Sequence, residues 1–210
     1  MDDGKASYHH GDLRNALISE AVTLVEAGGA ERFSLREAAR LVGVSAKAAY
    51  RHFADKSDLI AAIADYGYGL LEQSVLEAVV CAPEHRIIPE AAIARLRAAG
   101  RAYIAFAVEH PELLRIMFAS ESAPLPDDNG LVVTAPYALL GKVLDDLVDA
   151  GVLPVERRPG AELKAWVAVH GFATIVLQAR ELKQRQATSE KALETILDFA
   201  LDGLCGRKIA

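Results

Sequence analysis

Long hydrophobic runs are missing from this sequence: no apolar stretch reaches the roughly 18–20 residues that a membrane-spanning helix needs. The start, Met1-Asp2-Asp3-Gly4-Lys5, is acidic and polar, so it does not read as a secretory signal. Cysteine is scarce. Cys81 and Cys205 stand far apart without ligand-like spacing, which argues against a thiolate metal site and leaves at most a single bridge open. Two reduced thiols and a cytoplasmic location are the expectation. Aromatic residues make up 6% of the chain and Trp occurs once, whereas Ala and Leu dominate, a balance that favours helices over strands. Excess positive charge is also absent. A formal net charge of −6 argues against a protein that coats nucleic acid regardless of sequence, because that affinity is mostly phosphate electrostatics.

Enzyme signatures are lacking too. Gly67-Tyr68-Gly69 begins like a dinucleotide fingerprint, but Glu72 stands where the third Gly belongs and no strand precedes it. Gly43-Val44-Ser45 begins like a nucleophile elbow, yet Lys47 replaces the closing Gly. There is no phosphate-binding loop and no H-E-x-x-H. His9 and His10 are adjacent in a terminal arm, and His85, His110 and His170 fall on different segments without a matching carboxylate pattern. No catalytic residue, metal or cofactor is expected.

What is present concentrates between Phe33 and Leu59, FSLREAARLVGVSAKAAYRHFADKSDL. Ser34 caps a first short helix and Glu37, three residues on, completes a capping box, with Phe33 and Ala38 placed as a hydrophobic staple. Leu35, Ala38, Ala39 and Val42 form its buried stripe. Gly43 ends it in a left-handed conformation and Ser45 caps a second helix, about Ala46 to Phe53. On that helix Ala46, Ala49, Tyr50 and Phe53 share an apolar face, and Lys47, Ala48, Arg51 and His52 gather on the other. This is a helix-turn-helix, and its second helix has the short, donor-rich side that a major groove accepts. Charge supports the assignment locally. Residues 1–56 carry eight Lys/Arg against eight Asp/Glu, so the remaining residues hold the whole deficit. A locally basic foot on an acidic body depends on a matched site.

The rest reads as helices with short connections. The first runs from about Asp12 to Ala27 and stops at Gly28-Gly29. A long one follows from Lys56 to around Ala82, capped by Asp55, then others from Pro89 to His110 and Pro111 to Phe118. Ser120 to Gly130 is the clearest loop. Helices of about Val132 to Ala150, Gly160 to Gln184 and Ser189 to Leu204 complete an all-α fold of about nine helices, with no convincing strand. Trp166 and His170, four apart, share a face. Tyr103, Phe106, Met117, Phe118 and Tyr137 are candidates, with Trp166 and His170, to line an apolar small-molecule cavity having few polar groups, although each also serves as plain core. In the last helix Ala192, Leu193, Ile196, Leu197, Ala200, Leu201 and Leu204 recur at three and four, a broad apolar stripe.

Several of these segments resemble the tetracycline-repressor (TetR) family of bacterial regulators. The N-terminal elements are Leu13-Arg14-Asn15-Ala16-Leu17-Ile18, Ser34-Leu35-Arg36-Glu37-Ala38-Ala39, Gly43-Val44-Ser45 and Tyr50-Arg51-His52-Phe53, continuing to Lys56 and Leu59. The opening Tyr8-His9-His10-Gly11-Asp12-Leu13-Arg14 and the spacing Trp166-x-x-x-His170-Gly171 are similar to one branch of it. The chain departs from the common pattern at Lys47, where a small residue is usual, and at Ala49, where Leu or Pro is frequent. The resemblance implies residues 1–55 as a DNA-binding domain and 56–210 as a ligand-binding and dimerisation domain. It further implies a homodimer through the final two helices, with Ala168, Ala173, Leu193, Ile196, Leu197, Ala200 and Leu201 at the interface. Double-stranded operator DNA is the expected partner. Lys47, Ala48, Arg51 and His52 stand nearest bases, Ser34, Tyr50 and Lys56 stand toward the backbone, and Ser45 joins the DNA-binding set. The implied activity is a repressor released by a small apolar ligand. A helical ligand-binding protein with a degenerate DNA-binding foot is the rival reading.

Overall fold

The computed structural model describes residues 10–29, 33–119, 126–127, 130–131, 134–181 and 190–206. Readings that fall on Tyr8, His9, Ser120 to Leu125, Val132 and Ser189 lie outside the described residues. In chain order the elements are α1 (His10–Gly28), α2 (Leu35–Val42), α3 (Ala46–Ala49), α4 (Lys56–Val80), α5 (Ile88–Glu109) and α6 (Pro111–Ala119). After these come β1 (Pro126–Asp127), β2 (Gly130–Leu131), α7 (Ala135–Asp149), a single 3₁₀ turn (Val155–Arg157), α8 (Ala161–Glu181) and α9 (Glu190–Cys205). The fold is all-α, with an N-terminal helix-turn-helix followed by a larger helical portion.

The described residues fall into two compact units. One comprises those of Met1–Gly67 and Glu112–Ala123, the other those of Tyr68–Pro111 and Pro124–Ala210. In the first, Leu17, Ile18, Ala21 and Val25 of α1 are buried with Phe33, Leu35, Ala38, Ala39, Ala49, Phe53, Leu59 and Ile63. Helices α4 and α6 approach closely at Gly67, where an added Cβ would lie 2.7 Å from the Met117 sulfur. In the second, Leu96, Val143, Leu144, Leu147, Leu153, Ala161, Leu201 and Leu204 form one apolar cluster. Gly100 of α5 similarly admits α9, since a Cβ there would sit 2.6 Å from Leu197 Cδ2. Charge reinforces that crossing. Arg97 pairs with Glu194 at 3.0 Å and Asp198 at 2.7 Å, and Arg101 pairs with Glu190 and Glu194.

Two expected helices are shorter in the structure. Helix α7 begins at Ala135 rather than Val132, because a start at Val132 would bury Pro136 inside the helix, where it lacks an N–H and clashes with the preceding turn. With Thr134 extended as the flanking residue, Pro136 falls in the first turn, where no donor is needed. The reader helix α3 is regular only over Ala46–Ala49. Beyond it, Arg51 and His52 bond three residues back, to Ala48 and Ala49, so the chain tightens into a turn. The described part of the expected Ser120-to-Gly130 loop also holds a minimal antiparallel pair, Pro126 with Leu131 and Asp127 with Gly130.

Candidate nucleic-acid interface and interior aromatic cluster

Local capping fixes the helix-turn-helix. The Ser34 side chain accepts from the Glu37 amide at 3.2 Å, and Phe33 and Ala38 are both buried as the staple requires. The capping box is only half made, however. The Glu37 carboxylate takes a two-pronged hydrogen bond from Arg40, at 3.1 and 2.7 Å, which lowers its pKa. At the other end Gly43 has φ 81°, the Val44 amide reaches the Ala39 carbonyl and the Gly43 amide reaches that of Arg40. This Schellman geometry satisfies the last carbonyls and turns the chain sharply. Ser45 then accepts from the Ala48 amide at 3.2 Å and opens α3. The start of α4 is a reciprocal box: Asp55 accepts from the Asp58 amide and Asp58 from the Ala54 amide, each at 2.9 Å.

Side chains around this frame divide by face. Ala49 and Phe53 are buried, and Ser45, Lys47 and Arg51 are exposed, with Ala48 and His52 half-buried beside them. Tyr50 departs from the apolar face expected of it: 47% of it is exposed. This exposure leaves its hydroxyl accessible to a phosphate. Two cations lie on aromatic rings. The Lys56 ammonium is 4.8 Å from the Phe33 ring centre, and the Arg14 guanidinium is 5.3 Å from that of Phe53. Sequence reasoning placed Arg14 only in a helix motif, since nothing local links it to a residue 39 positions later.

In the second unit Tyr103, Trp166 and His170 come together. Tyr103 Oη lies 2.7 Å from His170 Nδ1, and the Trp166 and His170 rings stack with centroids 5.0 Å apart. Burial pushes the Tyr103 phenol far up, against a hydrogen bond from Trp166 that lowers it and the nearby Tyr68 that raises it further. Burial pushes His170 down. These shifts favour the protonated phenol and the neutral imidazole, and the imidazole tautomer sets which of the two donates across this bond. Tyr68 is a member that sequence reasoning missed. Phe106 is buried and tilts against His110 at 5.0 Å, whereas Tyr137 sits beside Arg158 and Glu162. Met117 and Phe118 belong to the first unit, Met117 fully buried against Gly67.

The stripe on α9 faces inward. Leu197 and Leu201 are buried within their own chain, as is Ala173 of α8, so these three cannot also present a face to a partner. Ala168, Leu193, Ile196 and Ala200 are half-buried. The exposed apolar residues on these helices are instead Val167, Ile175 and Phe199, at 55%, 61% and 60%. No helix among the described residues is long and apolar enough to cross a membrane, and among them no group of acidic, His or Cys side chains is placed to hold a metal.

Comparison with known proteins agrees with this architecture. Residues 17–63 match the family model of bacterial regulatory proteins of the tetR family, and residues 96–200 match that of the tetracyclin repressor-like C-terminal domain. Among solved structures, a protein of unknown function from Rhodococcus sp. RHA1 is 28% identical, with a TM-score of 0.74 over 96% of this chain and 100% of that one. At 18% identity, a TetR family transcription regulator from Marinobacter aquaeolei VT8 superposes with a TM-score of 0.58, over 91% of this chain and 95% of its own. A TetR variant from Acinetobacter baumannii AYE, solved in complex with minocycline, is 16% identical with a TM-score of 0.62, covering 94% and 96%. These last two likenesses concern the fold. No curated protein matches the chain.

Proposed function

From a chain that belongs to the TetR family of bacterial regulators, and is therefore a DNA-binding transcriptional regulator, we infer a dimeric repressor that a small apolar ligand releases from its operator. The observation that carries the DNA half is the capped α2–α3 pair with Lys47 and Arg51 exposed beside the buried Ala49 and Phe53. Residues 1–55 serve as the DNA-binding domain. Lys47, Ala48, Arg51 and His52 reach base edges, while Ser34, Ser45, Tyr50 and Lys56 contact the backbone. Two such feet, with reader helices about 34–36 Å apart, read a near-palindromic site.

Residues 56–210 serve ligand binding and dimerisation. The Tyr103–Trp166–His170 cluster, with Tyr68 and Phe106 near it, supports an apolar ligand site with few polar anchors. The minocycline complex of the Acinetobacter relative is consistent with small-molecule control in this fold. Dimerisation through α8 and α9 uses the exposed Val167, Gly171 and Ile175 with Ile196, Phe199 and Gly203, because exposed apolar groups gathered on adjoining helices favour a partner. Release requires the ligand to prefer an arrangement in which the feet no longer match the groove spacing.

Selection of preferred duplexes from a random pool tests this reading directly. An enriched inverted repeat is expected. Lys47→Ala should change preference at one position per half-site, by about 1–3 kcal/mol where Lys47 reads guanine. Lys56→Ala should weaken all duplexes alike and flatten the salt dependence. Failure to enrich any motif, or identical behaviour of the two variants, contradicts it.

A further inference from the structure

We propose that Arg14, on the first helix, is a further DNA-contacting residue: a phosphate clamp held beside the reader helix by the Phe53 ring. Its guanidinium centre lies 5.3 Å from the ring centroid, and Phe53 itself is buried, so the ring is a fixed platform. Phe53 stands two residues after Arg51, and with consecutive Cα atoms about 3.8 Å apart those two backbones lie within about 7.6 Å of each other. Through Phe53, Arg14 is tied to the residue that closes the reader turn, and it lies on a different helix from every DNA-contacting side chain assigned above.

Guanidinium geometry suits that place. The N–H donors of a guanidinium lie in its plane as a fork that can grip a phosphate with two parallel hydrogen bonds. An ammonium has no such fork. One other arginine of this unit shows the contrast. Arg40 has its fork committed to Glu37, whereas Arg14 is exposed and has no ion-pair partner among the described residues. A phosphate contact from α1 would fix the angle at which α3 enters the groove without reading a base itself.

The test uses the full chain, its selected operator duplex and a scrambled duplex, with affinity measured across a salt series. Arg14→Ala is expected to weaken both duplexes by the same factor and to reduce the slope of log affinity against log salt by about 0.9 per half-site. Arg14→Lys is expected to restore the slope while recovering only part of the affinity, because the charge returns without the fork. Wild-type slope and affinity in Arg14→Ala would overturn the proposal. So would a fall in thermal midpoint with the slope unchanged, which would make Arg14 a cover for Phe53 only. A changed base preference at one operator position would overturn the assignment to phosphate.

Discussion

His170 illustrates how burial alone sets the behaviour of one residue. Desolvation lowers its pKa in the folded chain, favouring the neutral ring, whose Nδ1 shares a hydrogen bond with the Tyr103 hydroxyl. The unfolded chain therefore binds a proton more readily than the folded one, so stability rises with pH across this range. The contribution is complete above the unfolded value of about 6.5 and is lost as pH falls toward the lower folded value. Thermal melts at about pH 7.5 and 5.5 should show a larger acid penalty for the wild type than for His170→Gln. Each kcal/mol of that difference corresponds to about 2–4 °C in a chain of this size. Equal penalties would show that His170 is not desolvated. Little of this was legible beforehand. The W-x-x-x-H-G spacing put Trp166 and His170 on one face, but the Tyr103 partner is 67 positions away and no periodicity connects them.

Helices and their ends were the most legible level, because caps and prolines act over three or four residues. Ser34, Gly43, Ser45 and Asp55 each do locally what their positions imply. Two misplacements came from weighing apolar pattern above backbone chemistry: Pro136 delays α7, and the turn after Ala49 shortens α3. Which side of α9 faces inward was not legible, since a stripe at three and four looks alike whether it meets its own chain or another. The ion ladder decides it. Glu190, Glu194 and Asp198 recur every four residues and meet Arg97 and Arg101 of α5, bringing Leu197 down onto Gly100. Removing Arg97 should cost about 1 kcal/mol in urea unfolding, the upper end for partly exposed pairs acting as a network. In about 1 M salt, where the screening length falls to roughly 3 Å, most of that difference should vanish. An unchanged cost in high salt would assign the effect to packing of the Arg97 stem.

At the scale of the whole molecule, that inward turn separates two kinds of substitution on one helix. Leu197→Glu puts a carboxylate into the interior of its own chain, where an unpaired buried charge is strongly unfavourable, and should lower the thermal midpoint steeply. Phe199→Glu changes a residue that the single chain leaves 60% exposed, so the fold should persist while sedimentation shifts from dimer to monomer. Operator affinity should then fall sharply, because one foot can no longer hold the other at its half-site. A Phe199→Glu protein that still sediments as a dimer would move the interface elsewhere.

The α5–α9 ladder also sets an order in time. Arg97 and Glu194 are 97 positions apart, and the helix that carries Glu194 follows every other element described. At about 5–20 residues per second, roughly 5–20 s separate the two partners as they leave the ribosome. Leu197, Leu201 and Leu204 have no seat to leave until then, and Phe199 has no neighbour on the nascent chain to present it. A polypeptide still being made can thus have finished its DNA-reading helices before the α9 surface proposed for pairing exists. Occupancy of a two-armed operator would in that sense report that synthesis has passed α9.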